Sequence, residues 1–278
     1  GTVQRIDSNP VSPSFHTVLG TIVVGNGPTA VSAQPGAEDI FVCNTPENSY
    51  SIIDTGTQVE RIKLQAGLGP RAVFATNRML GMGLTNAYQA FILNEFSDNV
   101  TVYESDSPAV PENGVDGRQV AQVGGFFSPT RGSWNWRTYI GFTSEPGCYV
   151  VNVQGTTVDE FTMFNFTLSP QPGFPGPAGR RDFHVLKAYN SGALGLGTLS
   201  SPSDATLDSH SGLYNINVAG VTNNKSACDP AIGGGVPSVV LISYPGAGLV
   251  AGFAANSPAL ITTVSVPGCD ILQSYYDQ

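Results

Sequence analysis

Charged residues are scarce in this sequence: only 12% of its 278 residues are Asp, Glu, Lys or Arg. The 12 basic residues are scattered and the formal net charge is −9, so the basic patch of a nucleic-acid-binding protein is missing and no nucleic-acid partner is expected. No apolar run approaches the ~20 residues of a membrane helix, which predicts that the chain has no membrane span. The segment 1–5 lacks the apolar core of a signal peptide, and we interpret the chain as a mature or excised soluble piece.

Histidine and cysteine are also rare, with three and four residues respectively. The cysteines are far apart, and no Cys-x-x-Cys or Cys-His cluster suggests zinc or haem attachment. No Gly-x-Ser-x-Gly motif accompanies the histidines. The carboxylates, Glu38-Asp39 among them, show no EF-hand spacing and are interpreted as surface or structural groups. The sequence therefore predicts no metal, no cofactor and no catalytic residue.

Helical periodicity is missing as well, because no apolar pattern at i, i+3, i+4 continues for three turns without Gly or Pro. The 33 glycines and 20 prolines favour frequent turns, and the many Val, Thr, Tyr and Phe residues favour short strands. The predicted fold class is all-β.

An internal repeat is visible. The segments Ile40–Asn44 and Tyr50–Asp54 align without insertion with Ala90–Asn94 and Val100–Glu104. Each unit reads as two strands joined by a tight turn, which is a hairpin signal. A Gly-x-Gly-Pro turn precedes each unit and allows a sharp reversal before the next strand.

Weaker copies follow. The third is assigned to the turn 127–131 with a hairpin of strands 138–142 and 148–152, and the fourth to 201–207 followed by 213–217. Three further segments read as strands but have no place in the repeat: 238–243, 249–254 and 260–266.

These residues resemble the YVTN family of β-propeller repeats, of surface-layer or extracytoplasmic type; Ile40–Pro70 matches that pattern closely and Ala90–Glu104 well. The resemblance implies a β-propeller of four-stranded blades, about five to seven for this length. We expect residues 1–278 to form one domain, with a possible irregular insertion at 169–200. The Pro/Gly-rich start of the segment 169–200 could be an insertion loop or a domain boundary. The strand at 15–24 could complete the last blade of a closed ring, or the chain could be part of a larger ring.

Arginines and tryptophans give candidate binding residues. Arg71 and Arg131 follow the Gly-Pro and Ser-Pro turns near the expected channel mouth, where they could hold an anion or pair with neighbouring acids. Trp134 and Trp136 share one face of a strand, where they could bind a glycan or protein or pack between blades.

A third candidate is the basic cluster Arg180, Arg181 and His184. It could bind an anion or carboxylate, or it could be a solvated loop with an internal ion pair.

Three sequons and an even number of cysteines fit a secreted, periplasmic or cell-surface protein. The sequons predict glycosylation at Asn99, Asn165 and Asn224. A disulfide between Cys228 and Cys269 is predicted because both lie in the Gly/Pro-rich C-terminal third, while Cys43 could be a buried free thiol.

The functional prediction is a non-catalytic propeller that binds a protein or glycan, or that serves as a scaffold in a surface or secreted assembly. The alternative is an enzyme on the same fold, either a lactonase-like hydrolase or a redox-enzyme subunit. A polar channel with convergent acids would favour the enzyme, and a large apolar outer patch would favour the scaffold.

Overall fold

The fold was analysed in a computed structural model. It describes residues 1–36, 38–76, 79–80, 85–105, 117–138, 144–152, 157–164, 181–190, 204–207, 239–254 and 260–265. Every regular element in these ranges is a β-strand, apart from two short 3-10 turns at Thr45–Glu47 and Pro245–Ala247. The all-β prediction is confirmed. Within these ranges, no helix is long and apolar enough to cross a membrane.

Sixteen of the strands form four antiparallel sheets of four strands, each of which we call a blade. Successive blades contact one another through their innermost strands. From the innermost strand outward, blade 1 consists of β3 (Pro28–Ala33), β4 (Asp39–Asn44), β5 (Ser49–Asp54) and β6 (Val59–Gln65). Blade 2 consists of β7 (Pro70–Ala75), β10 (Gln89–Asn94), β11 (Asn99–Glu104) and β12 (Arg118–Gly124). Blade 3 consists of β13 (Pro129–Thr138), β14 (Ser144–Asn152), β15 (Thr157–Phe164) and β16 (Arg181–Asn190). Blade 4 consists of β17 (Asp204–Leu207), β18 (Val239–Tyr244), β19 (Leu249–Ala254) and β20 (Leu260–Ser265).

Four strands lie outside the blades. β8 (Met79–Leu80) and β9 (Thr85–Ala87) form a small ribbon in the connection between β7 and β10. β1 (Thr2–Ile6) pairs with β2 (Val18–Val23), with a register shift at Arg5/Ile6. The third and fourth strands of blade 1 have the same pairing and the same shift, at Ile52/Ile53. β1 and β2 therefore have the register of the outer half of a blade.

The predicted repeat of blades 1 and 2 is confirmed strand by strand. Asn44 pairs with Ser49 at the end of one hairpin and Asn94 with Asn99 at the end of the other. Phe41 and Phe91 occupy equivalent positions, and both are completely buried. β4, β5, β10 and β11 are buried along nearly their whole length, because both faces of a middle strand are covered by neighbouring blades. β4 and β10 are therefore rich in apolar residues on both faces, whereas β5 and β11 also bury polar side chains such as Ser51 and Thr101.

The third predicted hairpin was assigned to the wrong strands. Segment 148–152 is not the second strand of a hairpin with 138–142. It belongs to β14 and pairs with the innermost strand β13, and Pro129 lies opposite Asn152 as Pro70 lies opposite Asn94. Residues 139–142 lie outside the described ranges. The irregular insertion expected at 169–200 contains β16, the outer strand of blade 3.

The three strands that the sequence could not place form blade 4 together with β17. The turn between β18 and β19 repeats that between β4 and β5: Gly248 has a φ of 57° where Asn48 has 53°. Tyr244 occupies the position of Asn44, so blade 4 lacks the Asn that ends the second strand of blades 1 and 2. The predicted fourth strand 213–217 lies outside the described ranges.

The two ends of the blades differ in their connections. At one end the connections are 45–48, 66–69, 95–98, 125–128, 153–156, 191–203 and 245–248, and we call this the short-turn face. At the other end they are 34–38, 55–58, 76–88, 105–117, 139–143, 165–180, 208–238 and 255–259, and we call this the long-loop face. Loops at one end of a set of strands can build a site on a rigid scaffold.

Candidate functional site

A polar cluster lies between blades 1 and 2 at the long-loop face. Asp39 begins β4 and is 5% exposed. The Tyr88 hydroxyl donates a hydrogen bond to Asp39 Oδ2, and Arg61 Nη2 contacts the same oxygen at 2.6 Å. Arg61 Nη2 also donates to the Tyr103 hydroxyl oxygen at 3.3 Å. Tyr88 and Tyr103 belong to blade 2, so the cluster spans the interface of the two blades.

All of the hydrogen bonds that hold the Asp39 side chain converge on one carboxylate oxygen. Both donors, Tyr88 and Arg61, bind Oδ2, and among the described residues no group bonds to Oδ1. The carboxylate is therefore fixed in orientation while one oxygen stays available to accept a proton.

Burial raises the pKa of the Asp39 carboxyl above its ordinary value. The hydrogen bond from Tyr88 and the charge of Arg61 oppose the shift, and nearby acids reinforce it. Burial also raises the pKa of Tyr88, so its hydroxyl stays protonated and remains a donor. A fixed carboxylate of raised pKa is the usual form of a general base or acid that works near neutral pH.

Buried polar side chains support the cluster from the blade 2 side. Gln34 Nε2 donates to the Thr76 carbonyl at 3.2 Å, and the Thr76 hydroxyl accepts the Gln89 N–H at 3.0 Å. Gln89 Nε2 donates to Glu104 Oε2 at 3.1 Å. The backbone N–H of Tyr88 donates to the Ser105 hydroxyl at 2.9 Å. These bonds fix the strand ends that carry Tyr88 and Tyr103.

At two positions of the cluster, the residue type differs from that at the equivalent positions of the other blades. Arg61 is the extra residue of a β-bulge, since Ile52 pairs with Ile62 and Ile53 with Glu60. The same bulge occurs in every other outer strand that the structure describes, where the extra residue is aliphatic: Leu19, Val120, Leu186 and Ile261. Tyr103 likewise occupies a position that is apolar elsewhere: Ile6, Ile53, Phe161 and Phe253. Polar side chains at positions that are apolar in the other blades indicate a function beyond packing.

The sequence-based site residues lie elsewhere. Arg71 is exposed at the start of β7, at the short-turn face, and its Nε lies 3.8 Å from Glu95 Oε2. Arg131 is exposed on β13. The two arginines are not in equivalent positions, because Arg131 pairs with Val151 as Ala72 pairs with Leu93. Anion binding by this pair stays a prediction.

The tryptophan and basic candidates are placed by their backbones. Trp134 and Trp136 are two positions apart on β13, opposite Cys148 and Pro146. Arg181 and His184 lie on β16 and not in a loop, while Arg180 lies outside the described ranges. Their binding roles stay predictions.

Cys43 is a buried free thiol whose pKa burial raises to about 12, which confirms one of the two alternatives for this residue. Asn99 is partly buried, and its Oδ1 accepts a hydrogen bond from Asn94 Nδ2 at 2.7 Å. Cys228, Cys269, Asn165 and Asn224 lie outside the described ranges. Within those ranges, no group of three or more His, Cys, Asp and Glu side chains is placed to hold a metal ion.

Sequence reasoning missed Asp39, Arg61, Tyr88 and Tyr103. The acid pair Glu38-Asp39 is typical of a surface, but Asp39 begins a buried strand. The bulge that aims Arg61 at Asp39 depends on strand pairing and leaves no local signal. An alignment of all outer strands in register would have exposed the single arginine among aliphatic residues.

The sequence matches no protein-family model and no curated protein. Among solved structures, a periplasmic gluconolactonase of Pseudomonas aeruginosa matches with a TM-score of 0.52 and 12% identity over 97% of this chain and 64% of that chain. The dihydro-heme d1 dehydrogenase NirN matches with a TM-score of 0.52 and 7% identity over 91% of this chain and 41% of that chain. The hydrazine synthase of Kuenenia stuttgartiensis matches with a TM-score of 0.47 and 16% identity over 91% of this chain and 60% of that chain.

The fold is a β-propeller. The four-stranded antiparallel blades and the match with the periplasmic gluconolactonase agree on it. This chain spans less than two thirds of each of the three matched chains.

The predicted non-catalytic scaffold function is wrong, since the two solved structures that match with a TM-score of 0.52 are a gluconolactonase and a dehydrogenase. The scaffold prediction failed because a blade repeat records how strands pack and carries no information about the chemistry of the loops.

Proposed function

We propose that this propeller is a lactonase-like hydrolase in which Asp39 is the acid–base residue. The observation that carries the proposal is the Asp39 carboxylate, which is bound through Oδ2 by Tyr88 and Arg61 while Oδ1 has no partner in the described part of the chain. Lactone opening requires a fixed group that moves one proton twice, and the raised pKa of Asp39 suits both transfers.

The reaction follows from this geometry. Asp39 Oδ1 takes a proton from a water molecule as the water oxygen forms a bond to the lactone carbonyl carbon. The bond between that carbon and the ring oxygen then breaks. The ring oxygen leaves with the bonding electron pair and takes the proton back from Asp39. The product is an open hydroxy acid, and Asp39 returns to its starting state. Tyr88 and Arg61 act as positioning residues by keeping Oδ2 in place.

The test follows hydrolysis of glucono-1,5-lactone with a pH indicator, with the spontaneous rate subtracted. We expect Asp39→Asn to lower kcat by about 10²- to 10⁴-fold, the usual contribution of a general acid–base group. Asp7→Asn is the control and should leave kcat unchanged. The Asp7 carboxylate accepts hydrogen bonds from the Asn9 N–H and the Ser14 hydroxyl, and its charge is not among those that shift the pKa of Asp39. A wild-type protein that does not accelerate hydrolysis, or an Asp39→Asn variant as fast as wild type, would refute the proposal.

Descent of the blades from YVTN-type repeats and an extracytoplasmic location are further parts of this proposal. The first is supported by the matching hairpins of blades 1 and 2. The second is supported by the three sequons. Cell fractionation, with a gel shift after removal of N-glycans, tests the location. A protein or glycan partner stays a prediction.

A further inference from the structure

Arg61 has hydrogen-bonding capacity that the cluster does not use. A guanidinium group carries five N–H donors on three nitrogens. The Nη2 group serves Asp39 and Tyr103, whereas Nε and Nη1 bond to none of the described residues. The Arg61 side chain is 30% exposed, against 8% for Asp39. The Arg61 side chain is therefore more accessible to a ligand than the Asp39 carboxylate, and it has donors that no described residue uses.

We propose that Arg61 is an anion subsite and that the lactone hydrolysed here carries a carboxylate or phosphate group, which binds the Nε and Nη1 edge. The inference rests on the proposed function, because it assigns a substrate class to the same site. Arginine matches both anions through paired hydrogen bonds, and this geometry is available from its fixed fork.

The charge and position of Arg61 support this role. The whole chain has a net charge of −9, so its overall field repels anions and a local cation is needed to hold one. A purely structural clamp at this bulge needs no charge, since the four equivalent bulges are filled by aliphatic residues. An arginine at this position instead places a cation beside the Asp39 carboxylate, with which it forms an ion pair.

The test compares three lactones: neutral glucono-1,5-lactone, its 6-phosphate and a glucarate lactone that carries a carboxylate. We expect wild type to prefer an anionic substrate in kcat/KM, and the phosphate and carboxylate arms show which anion fits. Arg61→Lys keeps a cation for Asp39 but loses the paired donors. It should lower kcat/KM for the preferred anionic lactone about tenfold or more, while the neutral lactone changes only a few-fold. Lys63→Gln, on the same strand and paired with Glu47, is the control and should change neither.

Direct binding separates the two proposals and does not depend on how well the variants fold. Inorganic phosphate and glucarate are titrated into wild type by calorimetry and tested as competitive inhibitors of neutral-lactone hydrolysis. Saturable binding that Arg61→Lys weakens, without any hydrolysis, supports the anion subsite and refutes the lactonase. Hydrolysis that depends on Asp39 but shows no preference for anionic lactones, and no inhibition by either anion, refutes the subsite and leaves the lactonase standing.

Discussion

At the residue scale, two carboxylates that lie side by side in blade 1 have pKa values shifted in opposite directions. Asp39 and Asp54 lie opposite one another in blade 1. Burial raises the pKa of Asp39, whereas hydrogen bonds from Thr57 lower the pKa of Asp54. The two pKa values are shifted in opposite directions, and the difference comes from what surrounds each carboxyl.

This contrast predicts opposite pH dependences of stability. The folded-state pKa of Asp39 is above its unfolded value of about 3.9, so its contribution is full below that pH and is lost as the pH rises through the raised pKa. The contribution of Asp54 is present above its unfolded pKa and is lost as the pH falls through the lowered one. Asp39→Asn should therefore remove a fall in unfolding free energy as the pH rises from about 3.9 through the raised pKa, and Asp54→Asn a fall as the pH decreases from about 3.9 through the lowered pKa. Urea unfolding of both variants across this range checks the signs; identical profiles would contradict them.

At the element scale, the hairpins of blades 1 and 2 are interchangeable in register but differ in their aromatic contacts. Phe41 meets Tyr88 and Tyr103 edge-on, with ring centroids 6.1 and 5.5 Å apart. Phe91 stacks on Phe74 of its own blade at 5.1 Å. Both rings are completely buried, although the aromatic contacts given for them differ.

Equivalent burial predicts equivalent losses on truncation. Phe41→Ala and Phe91→Ala should each lower the free energy of unfolding by about 3 to 5 kcal/mol, as truncation of core aromatics does. Phe96→Ala, at a ring that is 68% exposed, should change it by less than about 0.5 kcal/mol. Urea unfolding measures all three. A large loss at one buried ring and almost none at the other would show that the two hairpins are not equivalent.

At the scale of the whole molecule, hydrogen bonds join successive blades at both ends. Turns at the short-turn face hold successive blades together: Asn48 Oδ1 accepts the Gly69 N–H at 2.8 Å, and Asp98 Oδ1 accepts the Ser128 N–H at 2.7 Å. The long-loop face carries the Asp39 cluster. Loops at that face can vary without disturbing the bonds between blades at the other.

An all-strand molecule predicts a specific spectrum. Far-UV circular dichroism should show strand with almost no helix, and a helix content above about 15% would contradict the architecture, since an average globular protein has roughly a third. The spectrum of the intact chain includes the residues outside the described ranges, so it tests the fold class for the whole sequence.

The sequence by itself determined the fold class and the first two blades, because strand patterns, turn residues and the Asn at each strand end are local. It did not place the strands of blade 3 correctly, because Asn152 ends the second strand of the blade and not the third. It did not place blade 4, because Tyr244 stands where the other blades have Asn. Only the tertiary structure decided the site. Asp39, Arg61, Tyr88 and Tyr103 come from four segments that are far apart in sequence, and they meet because one bulge and one interface between blades bring them together.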